Sequence, residues 1–138
     1  MMGAKLENDI ESSLDEILAW EWVKTAIGAI EEKLGIDTVV VDVGDVFVLS
    51  EAFLITSGRT SRQVKAIVEG IEDAIKKSEG PPPIRVEGDD DYKWVLMDYG
   101  DFLVHVFETK ERSYYQLERL WGDRPVIAIP SDQALNVS

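Results

Sequence analysis

The chain has 138 residues, 45% of them apolar, and a formal net charge of −13 at pH 7. This length fits one domain with a sizeable core, and the absence of cysteine excludes disulfides, thiolate metal sites and a cysteine nucleophile. Binding to a phosphate backbone depends on Lys and Arg, so the acidic balance argues against direct nucleic-acid binding. It favours a basic protein partner or, alternatively, serves solubility alone.

The N-terminal segment, residues 1–12, is acidic and has no periodic pattern, so we predict that it is mobile. It resembles neither a secretory signal nor a transit peptide, and no apolar run in the chain approaches membrane-spanning length. We therefore expect a cytoplasmic protein with no membrane partner. Its folded domain is predicted to comprise residues 13–130, and residues 131–138 are predicted to form a disordered tail.

The first helix is predicted to begin at Ser13, which forms a capping box with Glu16, and to end at Gly35. Residues 38–43 follow as a nearly continuous β-branched run, which is typical of a strand buried on both faces. Residues 52–56 form the second predicted strand, and the connection between the two strands contains a short helical turn.

The second helix is predicted to begin at Thr60 or Ser61. Apolar residues then recur at i, i+3, i+4, i+7 and i+11, and three consecutive prolines prevent the helix from continuing. Residues 84–87 are the third predicted strand, followed by an acidic turn at residues 89–91.

A hairpin is predicted from residues 93–98 and 102–108, joined by Tyr99-Gly100-Asp101. Both faces of both strands are largely apolar, which indicates a central place in a sheet covered on both sides. Residues 110–120 are predicted to form a short helix, and residues 126–129 a brief edge strand.

This order of elements predicts a single α/β domain with a mixed five-stranded sheet and helices mainly on one face. Two long helices and one short helix leave part of the sheet uncovered. The uncovered side is expected to expose Trp94, Leu96 or Met97 and to form a protein interface.

A distinctive series of residues runs through the hairpin and the helix after it: Trp94, Leu96, Asp98-Tyr99-Gly100-Asp101, His105, Phe107, Arg112, Tyr114-Tyr115, Leu117-Glu118 and Leu120-Trp121. Together with residues 41–43, 53–58, 61–64 and 86–88, this series resembles the signature of the ribosomal silencing factor family, also called Iojap-like proteins. The resemblance extends over about residues 14–125. One departure is Glu51-Ala52, where many relatives have an aspartate and an aromatic residue.

The resemblance implies a nucleotidyltransferase-like fold. It also implies a homodimer, which we expect to form through apolar surface near the sheet edge, because apolar strand residues are in surplus over the covering helices. We expect no cofactor and no catalysis. The resemblance implies a translational repressor that binds the large ribosomal subunit through a basic protein at the subunit interface, the fourteenth of that subunit's series. Occupying that place would block joining of the small subunit when nutrients are scarce. The residues that we assign to partner binding are Trp94, Val95, Asp98, Tyr99, Asp101, His105, Tyr115 and Glu118.

An enzymatic alternative is a metal-dependent nucleotidyl transfer that uses Asp89, Asp91 and Asp98. Aspartates in a turn more often serve as solvated turn residues, and rigid two-metal geometry is hard to hold there. His105 is the single histidine, and no second histidine or cysteine is present to complete a metal or nucleophile site. We therefore interpret it as a packed or surface-contact imidazole, and we favour a binding protein over an enzyme.

Overall fold

The computed structural model describes residues 20–42, 52–115 and 126–129. Within these ranges the two long helices, the short helix and all five predicted strands are present, and the edge strand adds a sixth. The elements in chain order are α1 Trp20–Glu32, β1 Ile36–Asp42, β2 Ala52–Gly58, α2 Ser61–Lys77, β3 Arg85–Glu87, β4 Trp94–Asp98, β5 Phe102–Glu108, α3 Thr109–Tyr115 and β6 Val126–Ala128. The predictions for residues 1–19, 43–51 and 131–138, and for the last part of the short helix, lie outside the described residues.

The six strands form one sheet in the order β3-β4-β5-β2-β1-β6. β2 and β5 are parallel, and the other neighbouring pairs are antiparallel. The predicted mixed sheet in a single α/β domain is therefore confirmed. The hairpin β4-β5 has neighbours on both sides, which agrees with the central place that its doubled apolar pattern predicts.

The hairpin reverses at Gly100, whose φ is +91°, a conformation that glycine adopts without the steric cost of a side chain. The Tyr99 backbone N–H donates to the Phe102 carbonyl at 3.0 Å, and the Gly100 N–H donates to Asp98 Oδ1 at 2.8 Å. Asp98 thus stabilises the turn from its own side chain, as aspartate does in many turns.

Helix α2 covers one face of the sheet. Thr60 caps its N-terminus, since its side-chain oxygen accepts from the Gln63 backbone N–H at 3.1 Å. The predicted apolar stripe is confirmed, because all five of its residues are buried: Val64, Ile67, Val68, Ile71 and Ile75. Helix α1 packs beside α2 and adds its own buried residues to the same core.

The end of α1 differs in detail from the prediction. The left-handed residue that closes the helix is Leu34, with φ +62°, and not Gly35. The Gly35 N–H donates back to the Ile30 carbonyl at 2.8 Å, as in a Schellman motif. Glycine is needed at position 35 for space, because a Cβ there would overlap the Ile30 side chain and lie 2.7 Å from Thr56 Oγ1.

The close contacts at Gly35 allow a prediction, for which Gly28 in the same helix region is the matched control. Gly35→Ala is expected to destabilise the fold by about 1–3 kcal/mol through overpacking against buried Ile30. Gly28, inside α1, has open space where a Cβ would lie, with nothing within 4 Å, so Gly28→Ala should stabilise the helix by about 0.5–1 kcal/mol. Urea unfolding of both variants measures the difference, and equal effects on stability would contradict the packing described at Gly35.

Candidate protein-docking face

The sheet face opposite α1 and α2 groups four ring side chains in mutual contact, and we call it the aromatic face: Phe53, Trp94, His105 and Phe107. Its buried part consists of Val41, Phe53, Ile55 and Phe107, which form a second core cluster separate from the helix-side core. Trp94 and Leu103 are half-buried and pack against that cluster. The part of the face toward the β3 edge of the sheet is therefore apolar and partly open.

Trp94 is held in place by His105 and Phe107 on this face. Its indole Nε1–H donates to His105 Nδ1 at 3.2 Å, and its ring stacks on Phe107 with centroids 4.8 Å apart. The Phe53 ring in turn packs against His105, with 5.4 Å between the ring centroids. A tryptophan fixed in this way, with part of its ring accessible, has the character of an interface anchor.

His105 is 7% exposed, and burial lowers its pKa from 6.5 to about 4. Its imidazole is therefore neutral near pH 7. Because Nδ1 accepts a hydrogen bond, the proton of the neutral ring lies on Nε2. Nε2 is buried and has no hydrogen-bond partner among the residues that the structure describes.

A charged margin borders the aromatic face at β3 and β4. Arg85 Nε lies 3.3 Å from Glu87 Oε1, and Arg85 Nη2 lies 3.8 Å from Asp98 Oδ2. The Arg85 and Glu87 side chains are more than half exposed, so these ion pairs contribute little to the stability of the fold. The hairpin turn adds half-buried Asp101, and residues 89–91 add an exposed run of aspartates. The margin is thus rich in carboxylates around one arginine.

The structure separates the predicted docking residues into two groups. Trp94, Asp98 and His105 belong to the aromatic face, and Asp101 lies in the adjoining turn. Val95 and Tyr99, together with Met97, alternate to the other side and are buried in the core beneath the helices. Val95 and Tyr99 therefore offer a partner almost no surface in this structure. Of the alternatives Leu96 and Met97, Leu96 lies on the aromatic face, since successive strand residues point to opposite faces.

Tyr99 has a structural environment on the helix side. It is 6% exposed and stacks on Phe102 with centroids 4.9 Å apart. Its hydroxyl lacks a hydrogen-bond partner within the described part of the chain. Burial, and then the negative charge of Glu72, raise the pKa of Tyr99.

Two further residues that we assigned to partner binding are Tyr115 and Glu118. Tyr115 is the last residue of α3, and Glu118 lies outside the described residues, so their role in docking stays a prediction. Arg112 of α3 donates to the Ile36 carbonyl at 3.3 Å and to Ser57 Oγ at 3.0 Å, and so holds this helix against β1 and β2.

Sequence reasoning missed three residues that share the face with Trp94. Leu103 pairs with Asp98 across β4 and β5, while Arg85 and Glu87 join the face through the pairing of β3 with β4. Strand alternation alone places Leu103 beside His105 and Phe107. The two β3 residues could not be placed, because their register with β4 depends on the turn at residues 88–92.

The residues of the enzymatic alternative are spread over two places. Asp89 and Asp91 are exposed in the turn before β4, whereas Asp98 bonds the hairpin turn and pairs with Arg85. Within residues 20–42, 52–115 and 126–129, no three His, Asp or Glu side chains are grouped so that they could hold a metal ion. None of the described helices combines the length and the apolar character needed to cross a membrane.

Comparison with known proteins gives one family. Residues 17–137 match the model of "Ribosomal silencing factor during starvation". The chain is 40% identical over 104 residues to the ribosomal silencing factor of Bacillus subtilis, covering 75% of this chain and 87% of that protein. It is 35% identical over 109 residues to that of Halalkalibacterium halodurans, covering 79% and 92%.

A more distant relative and a solved structure extend this result. The mouse protein named mitochondrial assembly of ribosomal large subunit protein 1 is 31% identical over 74 residues, which are 52% of this chain and 32% of that protein. A crystal structure of a Chromobacterium violaceum protein is 33% identical and superposes with a TM-score of 0.71, covering 83% of this chain and 96% of that one. The fold and the sequence thus point to the same relatives.

Proposed function

The chain belongs to the ribosomal silencing factor family, and we propose that it represses translation by binding a basic protein of the large ribosomal subunit at the subunit interface. In that place it would block joining of the small subunit under nutrient limitation. Because the proposed partner is a ribosomal subunit, the proposed place of action is the cytoplasm. The name of the mouse relative, which refers to the large subunit, supports the choice of subunit.

The observation that carries the proposal is the half-buried Trp94, which is fixed by His105 and Phe107 beside a carboxylate-rich margin. Apolar contact around Trp94 would supply most of the binding free energy, since interfaces concentrate their energy in a few buried aromatic anchors. The carboxylates of Asp98 and Asp101 would attract and orient a cationic surface, which mainly raises association rate and specificity. The net charge of −13 acts in the same direction.

Repression of this kind requires occupancy and no chemical step. A domain of 15.5 kDa seated on the interface side of the large subunit would exclude the small subunit by volume alone. The fraction of ribosomes that is blocked then follows the concentration of the protein relative to its dissociation constant.

The test uses purified ribosomal subunits. The protein is expected to pellet with large subunits, not with small subunits, and to lower the fraction of joined ribosomes in a sucrose gradient as its concentration rises. Binding should weaken as salt is increased, because the steering charges are screened. A protein that remains in the supernatant with large subunits, or that pellets without reducing subunit joining, would refute the corresponding half of the proposal.

We further propose that the chain forms a homodimer through the β3 edge of the sheet. Ile84, just before β3, is 72% exposed, and Arg85 and Glu87 are exposed as well. Antiparallel pairing of two β3 strands about an axis at Val86 would place Arg85 of each copy opposite Glu87 of the other. Opposite charges at facing positions favour such pairing, and the twofold arrangement is the commonest one in homo-oligomers.

Light scattering at micromolar concentration is expected to give a particle of twice 15.5 kDa. Arg85→Glu should weaken the dimer by placing carboxylates opposite each other, and the double exchange Arg85→Glu with Glu87→Arg should restore it. A mass of 15.5 kDa throughout would contradict dimerisation, and a dimer that is indifferent to Arg85→Glu would exclude this edge.

A further inference from the structure

Resting on the proposed function, we infer that His105 is a positioning residue: it fixes the orientation of Trp94 and withdraws the indole N–H from partner recognition. The basis is the bond from Trp94 Nε1 to His105 Nδ1 at 3.2 Å, between one half-buried and one buried side chain on the same sheet face. His105 itself offers almost no surface to a partner, since it is 7% exposed.

The strand register explains why these two side chains meet. Trp94 lies opposite Phe107, and Leu96 lies opposite His105, so Trp94 and His105 are diagonal neighbours on β4 and β5. Diagonal pairs are within reach of long aromatic side chains. The Phe107 ring stacks beneath Trp94 at 4.8 Å, while Phe53 at 5.4 Å and Phe107 at 6.1 Å confine the imidazole. Packing thus holds the imidazole in the orientation in which Nδ1 accepts the hydrogen bond from the indole N–H.

This arrangement has a chemical consequence for the partner. The indole N–H is already used inside the chain, so the anchor offers the partner its apolar ring and no hydrogen-bond donor. A complementary side chain lies along or over the ring. Among basic side chains, the aliphatic stem of Lys or Arg fits the ring, and the carboxylate-rich margin favours its cationic head.

The first test concerns the bond itself and needs no partner. Because the chain has a single histidine, its imidazole nitrogens give an unambiguous long-range ¹H–¹⁵N correlation spectrum. At pH 7 we expect the neutral ring with the proton on Nε2 and an unprotonated Nδ1. A ring protonated on Nδ1 at pH 7 would overturn the inference, because that nitrogen could not accept from Trp94.

The second test uses three substitutions in the sedimentation assay. His105→Asn places an amide oxygen at the position of Nδ1 and retains an acceptor for the indole. His105→Gln places its amide one bond farther out, and His105→Phe removes the acceptor. Losing the fixed orientation is expected to weaken binding about three- to tenfold in the Gln and Phe variants, whereas the Asn variant stays close to native.

The unfolding midpoints of the three variants are measured as well, to separate an effect on stability from an effect on docking. If His105 had only a structural role, the loss of affinity in each variant would follow its loss of stability. Equal binding by all three variants, with native binding intact, would overturn the positioning role and leave the proposed function standing. If the native chain does not bind large subunits, the docking role falls together with the proposed function, whatever the nitrogen spectrum shows about the bond.

Discussion

Trp94→Ala is expected to weaken binding to the large ribosomal subunit by about thirtyfold, which corresponds to about 2 kcal/mol. The substitution removes the half-buried ring from the aromatic face, together with its stack on Phe107 and its hydrogen bond to His105. Titration of the protein against sedimented subunits measures the loss. Asp101→Ala, in the charged margin, should cost less and in a salt-dependent way, because charges at the rim of an interface act mainly on the association rate and are screened by salt.

Trp22→Ala is the matched control for this prediction. Trp22 is also a half-buried tryptophan, but it lies on α1 and packs against the helix-side core, near Gly80. Its truncation should lower the free energy of unfolding without changing affinity for the subunit. If both variants lose affinity equally, the loss reflects stability and the aromatic face is not the docking surface. If Trp94→Ala binds like the native chain, the anchor has been misassigned.

The alternation of side chains along the hairpin was predictable from the sequence. Which of its two faces packs against the helices was not. Strand alternation places Val95, Met97 and Tyr99 on one face and Trp94 and Leu96 on the other, as the structure has them. Because both faces are apolar, alternation separates them without indicating which one receives the helices. The packing of α2 decides this, and it is why Val95 and Tyr99 lie in the core and not on the aromatic face.

The charged margin shows a second limit of sequence reasoning. Arg85 meets Asp98 only because β3 pairs with β4 in one particular register. That register is set by the turn between them, where Gly88 has φ +87° and Tyr92 has φ +56°. A left-handed tyrosine has no dependable signal in a single sequence. The strands themselves were predictable because their β-branched and aromatic runs are local, whereas the margin depends on a non-local pairing.

The hydrogen bond between Trp94 and His105 depends both on which face of the hairpin the helices cover and on the register of the two strands. A single histidine in the middle of an apolar strand indicates a packed imidazole, and the structure confirms that interpretation. Its partner is eleven residues away and diagonal across the hairpin, so it follows only from the turn length and the register together. The same burial that makes His105 a poor contact residue changes its proton affinity, and this leads to a measurable effect on stability.

Stability is expected to fall by about 3 kcal/mol as the pH is lowered from about 6.5 to 4, through His105 alone. Burial lowers the pKa of His105 to about 4 in the folded chain, whereas the unfolded chain titrates near 6.5. Between these values the unfolded state binds more protons, so acid favours unfolding. The contribution is fully present above pH 6.5 and is lost as the pH falls toward 4, and each pKa unit corresponds to about 1.4 kcal/mol.

Urea unfolding at several pH values measures this dependence, and His105→Asn is the reference because its side chain does not titrate. The rings that surround the imidazole, Phe53, Trp94 and Phe107, carry no ionisable group in this range. Glu72 acts in the opposite direction, since burial and then the nearby Asp73 raise its pKa and favour the folded state in acid, but it is present in both proteins. The difference between native chain and variant therefore isolates His105. A difference that does not change between pH 6.5 and 4 would mean that the imidazole is not buried as described.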